Sequence, residues 1–350
     1  MTSNLTALQQ DVALIETVTR AKKAFDASAP DAASDDDFEI RFCVYNLLDE
    51  SYVAPLIAAH RAGVFVQVMI DLKNLEKPYV HLYDWFKNAS LSVADSRNTS
   101  QRDLTADQRR KLNLIGIHES GLMHMKMRYY SWRESAHSKS PTRVVVSGSF
   151  NPEDGALLNE DTLLVIRDAP TVASYMRAYL AVRDATPINN TYDPSRALNL
   201  LFSQPEAGVS PAPPPLAVRH VLLDLVRSET ELILLSVYSL RNIADSDNSS
   251  LVLELCAAVQ RGVAVSVLID KGQADGESGF AGGDDTLTAL RLWKGCGVPV
   301  YKCENYNGAH NALHHKNGLF GVKRRRIIWT DTANWSEASM GNGTSSQSSI

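Results

Sequence analysis

Two histidine–lysine pairs, one in each half of the chain, carry the residue types that could do chemistry. His124 and Lys126 are separated by one residue, and so are His314 and Lys316. Side chains two positions apart on a strand point to the same face, so each pair would present an imidazole beside an ammonium group. Two such pairs facing each other across a pseudo-twofold axis would surround one anion. This arrangement could move a phosphoryl group through a covalent phosphohistidine.

Each pair is followed by a polar turn that ends in an asparagine. Residues 147–151 read Ser-Gly-Ser-Phe-Asn, and residues 330–334 read Thr-Asp-Thr-Ala-Asn. Asn151 and Asn334 can donate amide hydrogens to phosphate oxygens. The hydroxyl residues at equivalent places in the two turns are predicted to bind substrate: Ser149 and Thr332.

The segments that must position these residues are repeated as well. Each half opens with a predicted strand, a helix and a second strand that closes on an aspartate. In the first half these segments are residues 38–45, 52–62 and 64–70, followed by Asp71. In the second half they are residues 231–238, 251–260 and 263–269, followed by Asp270. Strands alternating with helices predict an α/β fold, here two similar α/β/α sandwich halves with mixed sheets.

The composition between the repeats predicts where the halves meet. A predicted helix over residues 168–184 closes the first half, and residues 187–215 are rich in proline and asparagine, which is typical of a linker. A predicted helix over residues 216–229 opens the second half. The predicted organisation is therefore a first half over 1–186, a Pro-rich linker over 187–215 and a second half over 216–350.

These residues together resemble the phospholipase D superfamily. The resemblance is carried by the duplicated His-x-Lys, the Gly-Ser-x-Asn of residues 148–151 and the repeated strand–helix–strand–Asp segment, and it covers most of both halves. It implies two halves packed as a pseudo-dimer around one active site that needs no metal or other cofactor. It also implies that one histidine attacks phosphorus and the other protonates the leaving alcohol, while lysines and asparagines hold the phosphate oxygens. By the same resemblance His124 is the nucleophile and His314 the general acid, an order that the sequence by itself does not fix.

The resemblance also implies an acidic residue that orients a catalytic histidine. Glu160 matches this residue in the first half, and the histidine it orients is expected to be that of the opposite half. The second half has no clear counterpart, because Asn342 is followed by Gly343. Gln347 or Glu337 could substitute.

Two further departures from the family pattern concern the turns and the strands. Asp331 stands where the first half has Gly148, so its carboxylate would crowd or repel a phosphate, or point away from it. The aspartate that the family places five residues after each lysine is replaced by Ser131 and Gly321. We expect that aspartate to be structural, so its loss should leave the fold intact.

Charge and hydropathy limit the class of protein. A net charge of −5 argues against a protein that coats nucleic acid electrostatically. The basic run at residues 323–326 is predicted to be a solvated hairpin turn, the alternative being a lip that faces phosphate or membrane. No stretch is apolar enough to span a bilayer, and residues 1–25 predict an amphipathic helix instead of a signal peptide. The chain as it stands therefore predicts a cytoplasmic protein, with export left open.

The four cysteines give a further expectation. Cys43 and Cys256 lie in apolar segments and are predicted to be buried as small hydrophobic residues. Cys296 and Cys303 could form a local disulfide if the protein is exported.

The function predicted from these residues is a metal-independent phosphodiester hydrolase or phosphatidyltransferase that forms a phosphohistidine. A phospholipid is the favoured substrate, because the chain is acidic overall and carries both halves in one polypeptide, which predicts a monomer with internal pseudo-twofold symmetry. One alternative is a nuclease acting on DNA or RNA. Another is a catalytically impaired protein that binds a phosphate ligand, which Asp331 and the missing second acid would favour.

Overall fold

A computed structural model of the chain places it in two compact units. One unit is Met1–Leu157 with Leu163–Pro187, and the other is Leu158–Thr162 with Ile188–Ile350. The structure describes residues 6–28, 37–77, 80–118, 123–152, 159–188, 190–203, 218–241, 243, 250–275, 292, 294–304, 312–321, 326–332, 334–336 and 347–349. None of the helices within these ranges combines the length and the apolar composition needed to cross a bilayer.

The first unit is built on a mixed six-stranded sheet. Its helices are α1 (Ala7–Ser28), α2 (Glu50–Arg61), α3 (Leu72–Leu75), α4 (Leu82–Asn88), α5 (Ala106–Lys111) and α6 (Ala169–Asp184). Its strands are β1 (Glu39–Val44), β2 (Phe65–Asp71), β3 (Leu114–Ile117), β4 (Lys126–Trp132), β5 (Thr142–Gly148) and β6 (Leu163–Ile166). The strand order is β3-β2-β1-β4-β5-β6, with β1 to β3 parallel and the remaining pairings antiparallel.

Helices cover both faces of this sheet. One face packs its apolar side chains against α1 and α2, for example Phe42 and Tyr130 near Ile15 and Leu56 in one core cluster. On the other face α6 contacts the sheet, and the Tyr179 hydroxyl donates a hydrogen bond to Gln67 in β2 at 2.8 Å. Strand β4 is buried along its whole length, as expected of a central strand with a layer on each side. The predicted α/β/α layering is therefore confirmed in this unit.

The second unit repeats the topology. Its helices are α7 (Val218–Ser228), α8 (Leu251–Gln260) and α9 (Lys271–Asp275). Its strands are β7 (Leu201–Ser203), β8 (Leu232–Val237), β9 (Ala264–Asp270), β10 (Val300–Cys303), β11 (Lys316–Phe320), β12 (Ile327–Thr330) and β13 (Gln347–Ser349). The main sheet has the order β10-β9-β8-β11-β12, which matches β3-β2-β1-β4-β5, and β7 pairs separately with β13. The internal duplication predicted from the sequence is thus present in the fold.

The structure describes two predicted connecting segments only in part. Leu201–Ser203, inside the predicted linker, is a strand of the second unit, while residues 189 and 204–217 lie outside the described residues. The basic run at 323–326 also falls largely outside them, but the strands on either side of it, β11 and β12, pair antiparallel as a hairpin requires. The proposed substitutes Glu337 and Gln347 are not described at the level of side chains.

The disulfide expectation is corrected. Cys296 is bonded to Cys256, with the two Cα atoms 5.3 Å apart, and Cys303 is a free cysteine in β10. The bond links α8 to the segment that leads into β10. A spacing of seven residues suggested a local pair, but the packing of α8 beside Cys296 brings a residue 40 positions away into bonding distance. Cys43 is buried and is not part of a disulfide, as predicted. Cys256, which was also predicted to be buried as a small hydrophobic residue, is instead half-buried and disulfide-bonded.

Candidate active site

In the first unit, the histidine, the lysine and a tyrosine form one cluster at the start of β4. Lys126 is the first residue of this strand and is completely buried. Its Nζ lies 2.9 Å from Nδ1 and 3.1 Å from Nε2 of His124, and 3.2 Å from the His124 carbonyl oxygen. Tyr45 follows β1, and its ring centre is 4.8 Å from that of His124. The strand end therefore gathers an imidazole, an ammonium group and an aromatic ring.

The second unit builds the same cluster at the start of β11. Lys316 is buried, and its Nζ donates a hydrogen bond to the His314 carbonyl oxygen at 2.8 Å. Tyr238 follows β8, and its ring centre lies 5.0 Å from the His314 ring and 5.3 Å from Lys316 Nζ. The two tyrosines thus border the histidines at equivalent positions. His315 is on the other side of the chain, with Nδ1 3.3 Å from the Ser236 hydroxyl.

The acidic partner of His314 is Asp161. Its Oδ1 lies 2.8 Å from His314 Nδ1, and both side chains are largely buried. The neighbouring Glu160 holds the same region through its backbone. Its N–H donates to the Ala312 carbonyl at 3.0 Å, and its carbonyl accepts from His314 N–H at 2.9 Å. The carboxylate within reach of the imidazole therefore belongs to the residue after the one that the resemblance indicated.

Asp161 was missed because the choice between adjacent acids depends on strand register. Glu160 forms a parallel bridge with Leu313, and alternation then directs the next side chain towards His314. The Asn-Glu-Asp sequence at 159–161 was the available signal, since it offers carboxylates on both faces of an extended segment. The sequence alone does not show which face meets the histidine.

The polar turns supply buried groups at equivalent positions. Ser149 and Thr332 are buried, Asn151 is buried and Asn334 is half-buried. The side-chain oxygens of Asn151 and Asn334 have no hydrogen-bond partner among the described residues. Native structures satisfy nearly all buried polar groups, so these two acceptor oxygens, at the same place in both units, call for a hydrogen-bond donor that the described residues do not supply.

The two turns differ in backbone as well as sequence. Gly148 has a φ of 127°, a conformation that costs little only for glycine. Asp331, at the equivalent position, does not have a positive φ and is buried. The first turn therefore uses a backbone conformation that a side chain would disfavour, and the second has a carboxylate in its place.

Comparison with known proteins identifies the first of the two halves. Residues 32–182 match the family described as cardiolipin synthase, PLD-like domain. The matched range includes both members of the first His-Lys pair. This part of the chain is therefore similar to a phospholipase D-like domain. The resemblance predicted from the duplicated motif is confirmed.

The solved structures that are similar to this chain cover both of its halves. Phosphatidylserine synthase from Haemophilus influenzae is 13% identical, with a TM-score of 0.61, over 98% of this chain and 80% of the synthase. Polyphosphate kinase from Porphyromonas gingivalis is 14% identical, with a TM-score of 0.55, over 98% of this chain but only 46% of the kinase. These similarities show a shared fold. Among curated proteins, none is significantly similar to this chain in sequence.

The second unit has an unusual lysine. Complete burial lowers the pKa of Lys316 to about 7, although the nearby carboxylates of Asp161 and Asp331 act to raise it. Burial disfavours the charged ammonium, whereas anions favour it. A phosphate group bound beside Lys316 would therefore draw a proton onto this lysine.

Proposed function

We propose that the chain is a metal-independent phosphodiester hydrolase or phosphatidyltransferase that works through a phosphohistidine, with a phospholipid as substrate. The observation that carries the proposal is the contrast between the partners of the two histidines. An ammonium nitrogen lies 2.9 Å from a ring nitrogen of His124, and a carboxylate oxygen lies 2.8 Å from a ring nitrogen of His314. Opposite charges at the two imidazoles favour opposite protonation states, as a nucleophile and a general acid require.

His124 is the nucleophile in this proposal. An ammonium group can only donate, so the ring nitrogen facing Lys126 must offer its lone pair, which the neutral imidazole has. The ring nitrogen that carries the lone pair turns from Lys126 to the substrate and attacks phosphorus, the N–P bond forms, and the P–O bond to the leaving alcohol breaks. The product of this step is a phosphohistidine and an alkoxide that needs one proton.

His314 supplies that proton. The Asp161 carboxylate accepts the Nδ1 hydrogen, fixes the ring and favours the imidazolium form. The Nε2 proton passes to the leaving oxygen. In the second step His314 takes a proton from water in hydrolysis, or from an acceptor alcohol in transfer. The resulting oxygen nucleophile attacks phosphorus and regenerates His124.

The remaining predicted site residues stabilise the phosphate oxygens. Lysine ammonium groups and asparagine amides act where negative charge develops, and such fixed donors are a large contribution to catalysis. Ser149 and Thr332 add hydroxyl donors from the turns. The residues assigned to the oxygens are Lys126, Asn151, Lys316 and Asn334.

A phospholipid is favoured as substrate for two reasons. The fold is shared over nearly the whole chain with phosphatidylserine synthase, and both halves lie in one acidic polypeptide. The test is incubation of the purified chain with EDTA and either labelled phosphatidylcholine vesicles or labelled single-stranded DNA. We expect release or exchange of the lipid headgroup. Cleavage of DNA alone would assign a nuclease, and turnover of neither substrate or a requirement for a divalent metal would contradict the proposal.

The acidic partner of His314 can be tested by a pair of adjacent variants. Asp161→Asn should lower kcat about 100-fold, because the amide no longer stabilises the imidazolium that acts as general acid. Glu160→Gln is the matched control and should stay within about twofold, because the contacts of Glu160 to this region are made by its backbone. Steady-state kinetics over a range of pH measure both. Equal losses in the two variants would show that Asp161 has no special role.

A further inference from the structure

Each unit ends its second strand with a buried aspartate that binds the chain just before the catalytic histidine. Oδ2 of Asp71 accepts a hydrogen bond from the Met123 N–H at 2.9 Å. Oδ2 of Asp270 accepts one from the Leu313 N–H at 3.0 Å. Met123 directly precedes His124, and Leu313 directly precedes His314. The same contact therefore occurs at equivalent positions of the duplicated fold.

Helix capping uses only one of the two carboxylate oxygens of each aspartate. Oδ1 of Asp71 accepts from Asn74 N–H at 3.3 Å, and Oδ1 of Asp270 accepts from Gln273 N–H at 2.9 Å, which are local contacts at the starts of α3 and α9. Serine or asparagine could serve as such a cap. The second oxygen binds an amide 52 residues away in the first unit and 43 residues away in the second. Only a carboxylate presents two acceptor oxygens without a donor, so the residue type fits the bridging role.

Both aspartates are buried, which is unfavourable for a charged carboxylate. Asp71 and Asp270 are 2% and 6% exposed. Burial is the main effect that raises the pKa of both groups, while the backbone amides that they bind act to lower it. A capping residue at the surface would avoid this desolvation.

The histidine backbone is consequently held from two sides. The aspartate fixes the peptide on the N-terminal side, and the lysine ammonium binds the histidine carbonyl, at 3.2 Å in the first unit and 2.8 Å in the second. Neither histidine lies within a regular strand, although in the second unit the His314 N–H also donates to the Glu160 carbonyl at 2.9 Å. A displacement of about 1 Å at a reacting group can cost about 100-fold in rate.

We propose that Asp71 and Asp270 are positioning residues that set the placement of the His124 and His314 imidazoles, each through the amide of the preceding residue. The inference rests on the proposed function for its kinetic consequence, but the positioning itself is testable without a substrate. Asparagine at either position leaves one oxygen for two N–H groups and turns an NH2 group towards the other. Serine keeps a capping oxygen but does not reach both amides.

The experiment uses histidine-labelled protein and NMR of the imidazole nitrogens, with His124 and His314 assigned from their alanine variants. Asp71→Asn and Asp71→Ser should shift or broaden the His124 signals and leave those of His314 unchanged, and the Asp270 variants should do the reverse. Asp49→Asn is the control. Asp49 is also buried and caps α2 by accepting from Ser51 N–H at 2.8 Å, so its variant should change neither histidine.

The kinetic arm uses whichever phosphodiester the chain turns over. The Asp71 and Asp270 variants should lower kcat about 10- to 100-fold with KM within about threefold, and Asp49→Asn should change neither. Unmoved signals of the histidine in the same unit, or equal changes in both histidines, would overturn the inference. If an asparagine variant does not fold, the serine variant at the same position still tests the inference. If the proposed function is wrong, the unmodified chain will turn over no phosphodiester, whereas the NMR result will not change.

Discussion

Replacing His124 by alanine should lower the rate of phosphodiester cleavage by about 1,000-fold or more, and His314→Ala should have an effect of similar size. Without His124 no N–P bond can form, and without His314 the leaving alkoxide must depart unprotonated. Residues that act as a unit are not additive, so the double variant should be about as slow as either single variant.

The measurement is single-turnover kinetics with EDTA present, together with an alkaline quench and detection of labelled protein. Labelled phosphohistidine should accumulate in the unmodified chain and be absent from His124→Ala. His315→Ala is the matched control, because His315 is the neighbour of His314 but contacts Ser236, and its rate should stay within about threefold. Labelled intermediate that persists in His124→Ala but disappears in His314→Ala would reverse the assignment of the two histidines.

The second large effect is expected on stability, at a buried ion pair in the first unit. Arg128 Nε lies 2.9 Å from Asp11 Oδ2, and both side chains are completely buried. The hydroxyls of Tyr52 and Tyr130 donate to the same carboxylate at 2.9 and 3.0 Å. Arg128→Ala should lower the free energy of unfolding by about 3–5 kcal/mol, because it leaves the Asp11 charge buried without its cation.

Urea unfolding of the variant measures this loss, and two further variants define its cause. Arg20→Ala removes an exposed ion pair with Glu16 and should cost less than about 1 kcal/mol. Asp11→Leu combined with Arg128→Met, Tyr52→Phe and Tyr130→Phe should regain much of the lost stability, since an apolar cluster avoids both the unpaired charge and the unpaired hydroxyls. A loss for Arg128→Ala no larger than that for Arg20→Ala would contradict the prediction.

The position of Arg128 in β4 is packed differently from the equivalent position in β11. Arg128 NH1 lies 3.3 Å from the Lys126 carbonyl and 3.4 Å from the Phe150 carbonyl, at the edge of the first cluster. The residue at the equivalent position of β11 is Gly318. A Cβ there would lie 3.2 Å from the ring of the buried Trp335. An aromatic side chain therefore takes the space that the arginine fills in the first unit.

Elements with a local signal were predictable from the sequence. The apolar periodicity of residues 251–260 predicts a helix, and α8 is Leu251–Gln260. Helix α2 begins at Glu50, two residues before its predicted start, because Asp49 caps it. The strands that close on Asp71 and Asp270 were also predicted to within about one residue.

The sequence by itself determined the duplicated α/β frame and the two His-Lys pairs at equivalent strand ends. Both follow from short periodicities, in which each side chain's direction depends only on its neighbours along the chain. The tertiary structure decided that Asp161 and not Glu160 meets His314, that Cys296 bonds Cys256, and that Arg128 pairs with Asp11. These partners are far apart in the chain, and their contacts depend on strand register and helix packing, which local patterns do not contain.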